Sequence, residues 1–87
     1  MFINKASDGK NNICGSAIAA RRREMGISQR ELADRLQIIG LDVDKNAVQR
    51  MESGQRFITD IELVYLAQAL ELSIPELFVL AQGGADS

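Results

Sequence analysis

The sequence has 87 residues, which is enough for one compact domain with a single hydrophobic core. Hydrophobic residues make up 46% of it and charged residues 25%, the proportions of an ordinary globular domain. With no histidine and one cysteine, Cys14, the chain excludes an internal disulfide, a zinc site of cysteines and histidines, and a histidine-activated nucleophile. We therefore expect no metal, no cofactor and no enzymatic activity.

The formal net charge of −2 conceals an uneven distribution of charge along the chain. Residues 1–30 carry six basic and two acidic side chains, whereas residues 57–87 carry five acidic and no basic ones. A domain polarised in this way can present a basic surface to a polyanion while its opposite side stays acidic. A randomly patterned surface is the alternative, and the charges alone do not decide between the two.

The two ends of the chain differ from its middle. Residues 1–11 are polar and are interpreted as a flexible arm, whose Lys5 and Lys10 either reach a DNA minor groove or belong to a disordered leader. Residues 83–87 are expected to form a disordered tail. The start of the chain does not look like a signal peptide, and no apolar stretch approaches the roughly 20 residues of a membrane span. Because a lone thiol also fits a reducing compartment, we expect a cytoplasmic protein with no membrane partner.

Between these ends, residues 12–82 follow the hydrophobic spacing of α-helices and show none of the alternation typical of strands. Cys14, Ile18 and Met25 predict the first helix, which Gly26 ends. Three later helices begin at a capping box, in which a serine or threonine is followed three residues later by a glutamate. The boxes are Ser28 with Glu31, Thr59 with Glu62, and Ser73 with Glu76. The pattern predicts an all-α bundle of five helices.

The remaining helix, third in chain order, has Asp44 as its N-cap and ends at Gly54. Its apolar residues share one face at 100° per residue: Ala47, Val48 and Met51. The opposite face is polar and carries Lys45, Asn46, Gln49, Arg50 and Ser53. Amide side chains can bond bidentately to adenine, and lysine can reach guanine. A capped helix, a turn and then this polar helix are typical of a helix-turn-helix, although such a face taken alone also fits a solvated surface.

The segment from Arg22 to Phe78 resembles the lambda-repressor-like, Xre-type helix-turn-helix domain. The resemblance is carried by residues 26–33, 48–56, 59–63, 66–70 and 73–78. It implies a five-helix bundle, here over residues 12–82, that binds double-stranded operator DNA and regulates transcription. It also implies action as a homodimer, with repression as the expected output.

Residue by residue, the resemblance assigns roles to eight side chains. Three become readers of base edges: Lys45, Asn46 and Gln49. Three become contacts of the DNA backbone: Gln29, Arg50 and Arg56. Arg22 and Glu52 match a pair that forms an internal salt bridge in many members of the family. A cationic partner for Glu52 is also expected from the helix dipole, because this carboxylate lies near the C-terminal end of its helix.

Two features depart from the family pattern. Seven residues, 37–43, separate Leu36 from the cap Asp44, so we expect a lengthened turn before the recognition helix. Four apolar residues of this turn are expected to pack on the core: Ile38, Ile39, Leu41 and Val43. Arg21 stands where the family usually has leucine or alanine. Either its stem extends to the surface, or the predicted register of the first helix is shifted by one residue.

The leading hypothesis is a sequence-specific DNA-binding regulator that acts as a homodimer, since one such module makes only a modest interface with DNA. Dimer contacts are expected at the acidic C-terminal end, from residues such as Phe57, Tyr65, Val79 or Leu80. The alternative is an antitoxin-like or partner-docking module, in which this acidic end binds another protein. A salt titration separates the two, because binding through several phosphates weakens steeply with salt. An enzyme would need a pocket of perturbed carboxylates, and the sequence offers no such cluster.

Overall fold

The computed structural model describes residues 10–82, which form five α-helices. They are α1 (Gly15–Glu24), α2 (Gln29–Ile39), α3 (Lys45–Ser53), α4 (Asp60–Ala69) and α5 (Ile74–Ala81). No strand occurs among these residues, and the prediction of an all-α bundle of five helices is confirmed. The predicted tail 83–87 and residues 1–9 of the predicted arm lie outside the described residues.

Each of the three predicted capping boxes is present. In each, the hydroxyl accepts a hydrogen bond from the backbone N–H of the glutamate, whose carboxylate accepts one from the backbone N–H of the capping residue. In the first box these bonds measure 3.0 Å and 2.9 Å. Helices of 8 to 11 residues are marginal in isolation, so two satisfied N–H groups at each start help to fix where α2, α4 and α5 begin.

The glutamates of these boxes are held in their charged form. Hydrogen bonding by the Arg56 guanidinium, with the Thr59 N–H adding to it, lowers the pKa of Glu62 from its ordinary value of 4.5. The backbone N–H groups of Ser28 and Ser73 likewise lower the pKa values of Glu31 and Glu76. Protonation of these carboxylates therefore opposes the folded state.

We expect stability to decline as the pH falls below 4.5, and Glu62→Gln to reduce that decline. Because the pKa of Glu62 is lower in the folded chain than in the unfolded one, its contribution is fully present above the unfolded value. That contribution is lost as the pH falls through the folded value. Urea unfolding at a series of pH values measures the free energy of unfolding. An equal decrease of this free energy with falling pH in the wild type and in Glu62→Gln would contradict the prediction.

The core is aliphatic, as the low aromatic content requires. Its fully buried side chains are Ile18, Leu32, Leu36, Val48, Met51, Leu66, Leu70 and Leu77. Cys14 is buried beside them as expected, and burial raises the pKa of its thiol, which keeps it protonated.

No helix among residues 10–82 is by itself long and apolar enough to span a membrane. Only α4 and α5 taken together, with a bend of 95° between them, reach that length and apolarity.

The connection between α2 and α3 is shorter than the sequence suggested. α2 continues to Ile39 and ends at Gly40, which adopts a left-handed φ of 115°. The predicted turn of seven residues is therefore too long, because its first three residues, 37–39, belong to the helix, which meets no residue that favours ending it before Gly40. The remaining turn is closed by Gln37, whose Nε2 donates a hydrogen bond of 2.7 Å to the carbonyl of Val43.

The longer α2 also changes which of the apolar side chains near its end are buried. Val43 is buried, and Ile39 and Leu41 pack against the core, as expected. Ile38 is 83% exposed, so the expectation that it packs on the core is wrong. The reason is helical geometry, because Ile38 follows the buried Leu36 by two residues and therefore points to the opposite side of α2.

Residues 10 and 11, which the sequence placed in the N-terminal arm, contact the segment after α3. The backbone N–H of Asn11 donates to the carbonyl of Gly54 over 2.8 Å, and its side chain donates to the carbonyl of Gln55 over 3.0 Å. The side chain of Lys10 lies beside Gly54, close to where a Cβ on that glycine would stand. Asn11 thus satisfies two backbone carbonyls just after α3, and the stem of Lys10 lies beside the same segment.

Arg21 is accommodated without a shift of register. Ala17 and Ile18 are buried as predicted, and the Arg21 Nε donates a hydrogen bond of 2.9 Å to the carbonyl of Leu70. A second nitrogen of its guanidinium pairs with Glu24 at 2.9 Å. The stem of Arg21 therefore reaches along the bundle, and its head satisfies a carbonyl at the C-terminal end of α4, where a cation is favoured.

Candidate nucleic-acid interface

α3 buries its apolar face against α1 and α2 and exposes its polar face. Ala47, Val48 and Met51 are buried, as their spacing predicted. The exposed residues of this helix are Lys45, Asn46, Gln49, Arg50 and Ser53. The N-terminus of α3 is capped by Asp44, whose Oδ1 accepts a hydrogen bond of 2.8 Å from the N–H of Ala47. The helix ends at Gly54, whose φ of 81° is left-handed.

The side chains predicted to meet DNA on α3 are uncommitted in the fold. Lys45, Asn46, Gln49 and Arg50 form no side-chain hydrogen bond or ion pair within residues 10–82. The structure brings all four onto one exposed surface, which we call the α3 polar face. Two amides and two cations on a single helical face match the donors and acceptors of base edges and the charge of phosphates.

A polar concavity separates this face from α2. It has a volume of about 380 Å³ and is lined by Arg30, Ala33, Asp34, Gln37, Asp44, Lys45 and Asn46. Arg30, which the sequence arguments did not assign to the site, brings a further cation beside the start of α3. The only indication of this role in the sequence was that Arg30 is a basic residue in the first turn of a predicted helix. The α2–α3 concavity thus extends from the first turn of α2 to the N-terminal end of α3.

A buried ionic cluster fixes the orientation of α3, and we call its residues Arg22, Gln29 and Glu52 the Glu52 cluster. Arg22 and Glu52 form the expected pair, with bonds of 2.7 Å from Nε to Oε2 and 3.1 Å from Nη2 to Oε1. The Nε2 of Gln29 donates a third bond of 3.0 Å to Glu52. The side chains of Arg22 and Glu52 are only 11% and 6% exposed. One carboxylate therefore ties α1 and the start of α2 to α3.

Gln29 has a structural role that the sequence arguments did not foresee. Its side-chain amide is directed to Glu52, whereas the resemblance assigned it to a phosphate. One amide hydrogen remains, and the free N–H groups at the start of α2 lie beside it, where a phosphate is favoured. The contact of Gln29 with the DNA backbone stays a prediction.

Arg56 is also engaged within the fold. Its guanidinium donates two hydrogen bonds to Glu62, of 3.0 Å and 2.8 Å, and its side chain is 30% exposed. Since Glu62 belongs to the capping box of α4, this pair links the segment after α3 to the start of α4. The contact of Arg56 with the DNA backbone likewise stays a prediction, whereas Arg50 is exposed and meets no competing carboxylate within the described chain.

Asn12 connects the helices on which the candidate interface depends, and the sequence analysis did not identify it. Its Oδ1 accepts a hydrogen bond of 2.7 Å from the N–H of Gly15 at the start of α1. Its Nδ2 donates to the carbonyls of Met51, over 3.1 Å, and Arg56, over 2.7 Å. A single amide therefore joins the N-terminus of α1 to the C-terminal end of the recognition helix. The position of Asn12 three residues before Gly15 was the only local signal.

The chain is similar in sequence to a known protein family and similar in fold to proteins of known structure. A family model described as helix-turn-helix, HTH_3, matches residues 18–77. No curated protein matches the chain. The clp gene regulator ClgR from Corynebacterium glutamicum has a similar fold, with a TM-score of 0.72 and 24% identity over 82% of this chain and 86% of ClgR.

A second solved structure is similar in sequence as well as in fold. The restriction-modification controller protein C.AhdI from Aeromonas hydrophila has a TM-score of 0.66 and 31% identity over 75% of this chain and 87% of its own. The family match extends from within α1 into α5 and includes α2, the turn and α3. The chain therefore belongs to the helix-turn-helix family HTH_3, the lambda-repressor-like, Xre-type DNA-binding transcriptional regulators.

Proposed function

We propose that the protein is a repressor that recognises one operator sequence by inserting α3 into the major groove. The observation that carries this proposal is the α3 polar face, whose side chains are exposed and uncommitted on a helix that a buried cluster holds in place. Lys45, Asn46 and Gln49 read base edges, and Arg50 contacts the backbone. Gln29 and Arg56 add backbone contacts at the two edges of the interface. Repression follows directly from occupying DNA.

The names of two similar proteins support a role in gene control. ClgR is a clp gene regulator, and C.AhdI is a restriction-modification controller protein. A binding role without catalysis also agrees with the absence of histidine from the sequence. A DNA-binding protein with one unpaired cysteine acts in the reducing cytoplasm, which is where we place it.

Selection of bound sequences from random duplex DNA tests the proposed function. We expect one enriched motif built from two related half-sites. Binding to that motif should weaken with salt at a log–log slope of about −0.9 for each phosphate contacted. Absence of any enriched sequence, or an interaction with DNA that salt does not weaken, would contradict the proposal.

Gln49→Ala should reduce affinity for the selected operator by about 1–3 kcal/mol and relax the base preference at one position of each half-site. The reason is that an alanine at this exposed position removes both bonds of the amide to a base. Arg50→Ala is the control, because loss of a phosphate contact weakens binding to all sequences about equally. Electrophoretic titrations on the operator and on single-base variants provide the measurement. Equal weakening on every sequence by Gln49→Ala would make Gln49 a positioning residue instead.

We infer that the protein binds DNA as a homodimer through the outer face of α4. Ile61 and Val64 are 66% and 54% exposed on this face, and Phe57, just before α4, is 52% exposed. Ile38 of α2, at 83%, is the most exposed large hydrophobic side chain of the described residues. Among the residues expected at the dimer contact, Tyr65 instead packs partly against the core. An interface of one module with DNA is modest, so two half-sites are needed for high affinity.

Val64→Lys should convert the dimer into a folded monomer and weaken operator binding by at least tenfold, because a lysine in the centre of an apolar contact must be desolvated. Sedimentation equilibrium, circular dichroism and operator titration measure the three effects. Val79→Lys is the matched control on α5, where Val79 is 54% exposed. If Val79→Lys breaks the dimer and Val64→Lys does not, the interface lies on α5.

A partner protein is the second candidate function, and one observation favours it. An apolar concavity of about 410 Å³ lies beside α5 and is lined by Glu24, Leu72, Pro75, Glu76, Val79 and Leu80. Its two glutamates would suit a basic partner that buries an apolar side chain between them. If Val79→Lys leaves both the dimer and operator binding intact, this surface is available for such a partner.

A further inference from the structure

The start of the recognition helix carries a negative charge on the surface that faces DNA. Asp44, the N-cap of α3, is exposed, and only its Oδ1 is used in the cap, by the N–H of Ala47. Its second oxygen, Oδ2, accepts no hydrogen bond within the described residues. Serine or asparagine would cap the helix about as well without a charge, so the cap does not require an aspartate.

Asp44 lies among the groups that meet DNA. It lines the α2–α3 concavity together with Arg30, Lys45 and Asn46. In a helix-turn-helix, the N-terminal residues of the second helix approach the base edges. The phosphates repel a carboxylate in this position, which makes binding less favourable. A hydrogen bond from a donor group of a base would offset this unfavourable free energy.

Only two groups on the major-groove edges of bases donate hydrogen bonds, the N6 amino group of adenine and the N4 amino group of cytosine. On adenine the neighbouring N7 is an acceptor, which repels a carboxylate that approaches N6. Cytosine carries no acceptor beside N4 on its own major-groove edge. The donor that best matches a free carboxylate oxygen is therefore the amino group of cytosine.

We propose that Asp44 is a specificity-determining residue whose Oδ2 accepts a hydrogen bond from N4 of a cytosine in each half-site. The same aspartate caps α3 with Oδ1, so the cap holds the oxygen that reads the base. This inference rests on the proposed function, in which α3 enters the major groove. It predicts a C·G pair next to the positions read by Lys45 and Asn46.

The test is selection from random duplex DNA with the wild type and three variants. Asp44→Asn keeps the cap and the shape but replaces the acceptor Oδ2 by an NH2 group, which donates. Asp44→Ser keeps the cap and has no second polar group to face a base. Asp34→Asn is the matched control, because it removes one negative charge from the same concavity away from the α3 N-terminus. Thermal unfolding of each variant checks that the fold is kept.

We expect the wild type to prefer cytosine at one position of each half-site by about tenfold. Asp44→Asn should lose that preference and favour guanine or thymine there, whose O6 and O4 are acceptors, and Asp44→Ser should show little preference. Asp34→Asn should keep the cytosine and bind all sequences more tightly. If Asp44→Asn selects the same motif as the wild type, Asp44 acts through cap and charge alone and the inference is wrong. If the wild type selects no duplex, the proposed function fails together with it.

Discussion

Glu52→Ala is expected to lower the free energy of unfolding by about 3–5 kcal/mol. The substitution leaves the guanidinium of Arg22, only 11% exposed, without a counter-charge. It also removes the acceptor of the Gln29 amide. Part of the expected loss is therefore the penalty of a buried cation without a partner, and only part is the loss of attraction within the pair. Urea unfolding followed by circular dichroism measures the change.

Two further variants separate the effect of burial from the effect of charge. Arg35→Ala breaks a pair with Glu71 that spans 3.7 Å between side chains 43% and 69% exposed, so it should change stability by less than about 1 kcal/mol. The double variant Arg22→Met with Glu52→Met should be more stable than Glu52→Ala, because no buried charge is then left alone. An unfolding midpoint of Glu52→Ala equal to that of the wild type would show that the cluster contributes nothing to the fold.

Gly15→Ala is expected to destabilise the domain by about 3 kcal/mol. A Cβ at this position would lie 2.8 Å from the carbonyl oxygen of Glu52 and closer still to that of Met51. Both atoms belong to the backbone of α3, so neither can rotate away as a side chain could. α1 must then move off the end of α3, which also weakens the hydrogen bonds of Asn12 to Gly15 and Met51.

Ser16→Ala is the control for Gly15→Ala, since Ser16 is the exposed neighbour in the same helical turn. Alanine has the higher helix propensity, so Ser16→Ala should leave stability unchanged or raise it slightly. A Gly15→Ala protein that is more stable than the wild type would mean that the helix propensity of alanine outweighs the contact with α3. Thermal unfolding of both variants at one concentration makes the comparison.

These two predictions concern the same part of the molecule, the C-terminal end of the recognition helix. There Glu52 is held by Arg22 and Gln29, and the carbonyl of Met51 is held by Asn12. The N-terminal end is held by the Asp44 cap and by the hydrogen bond of Gln37 to the carbonyl of Val43 in the preceding turn. The residues between them that are predicted to read bases are thus supported from both ends, while their own side chains form no hydrogen bond within the described residues. This arrangement lets a helix of nine residues keep a fixed orientation while its polar face stays exposed.

Local sequence determined the starts of most helices. A capping box needs only a hydroxyl and a glutamate three residues apart, so α2, α4 and α5 began where Ser28, Thr59 and Ser73 predicted. The buried and exposed faces of α3 followed in the same way from a period of 3.6 residues, and the exposed position of Gln49 with them. Such features depend on neighbours within one or two turns.

Only the tertiary structure decided how these elements are fastened together. The end of α2 was misplaced because no residue before Gly40 marks it, and the turn that follows is closed by the hydrogen bond of Gln37 to the carbonyl of Val43. The roles of Asn12, Gly15 and Gln29 depend on partners more than 20 residues away, which no local pattern encodes. The uneven charge along the sequence left a basic surface for a polyanion and a randomly patterned surface as alternatives. The fold added the exposed polar face of α3 with Asp44 at its N-terminus, which we propose distinguishes one DNA sequence from another.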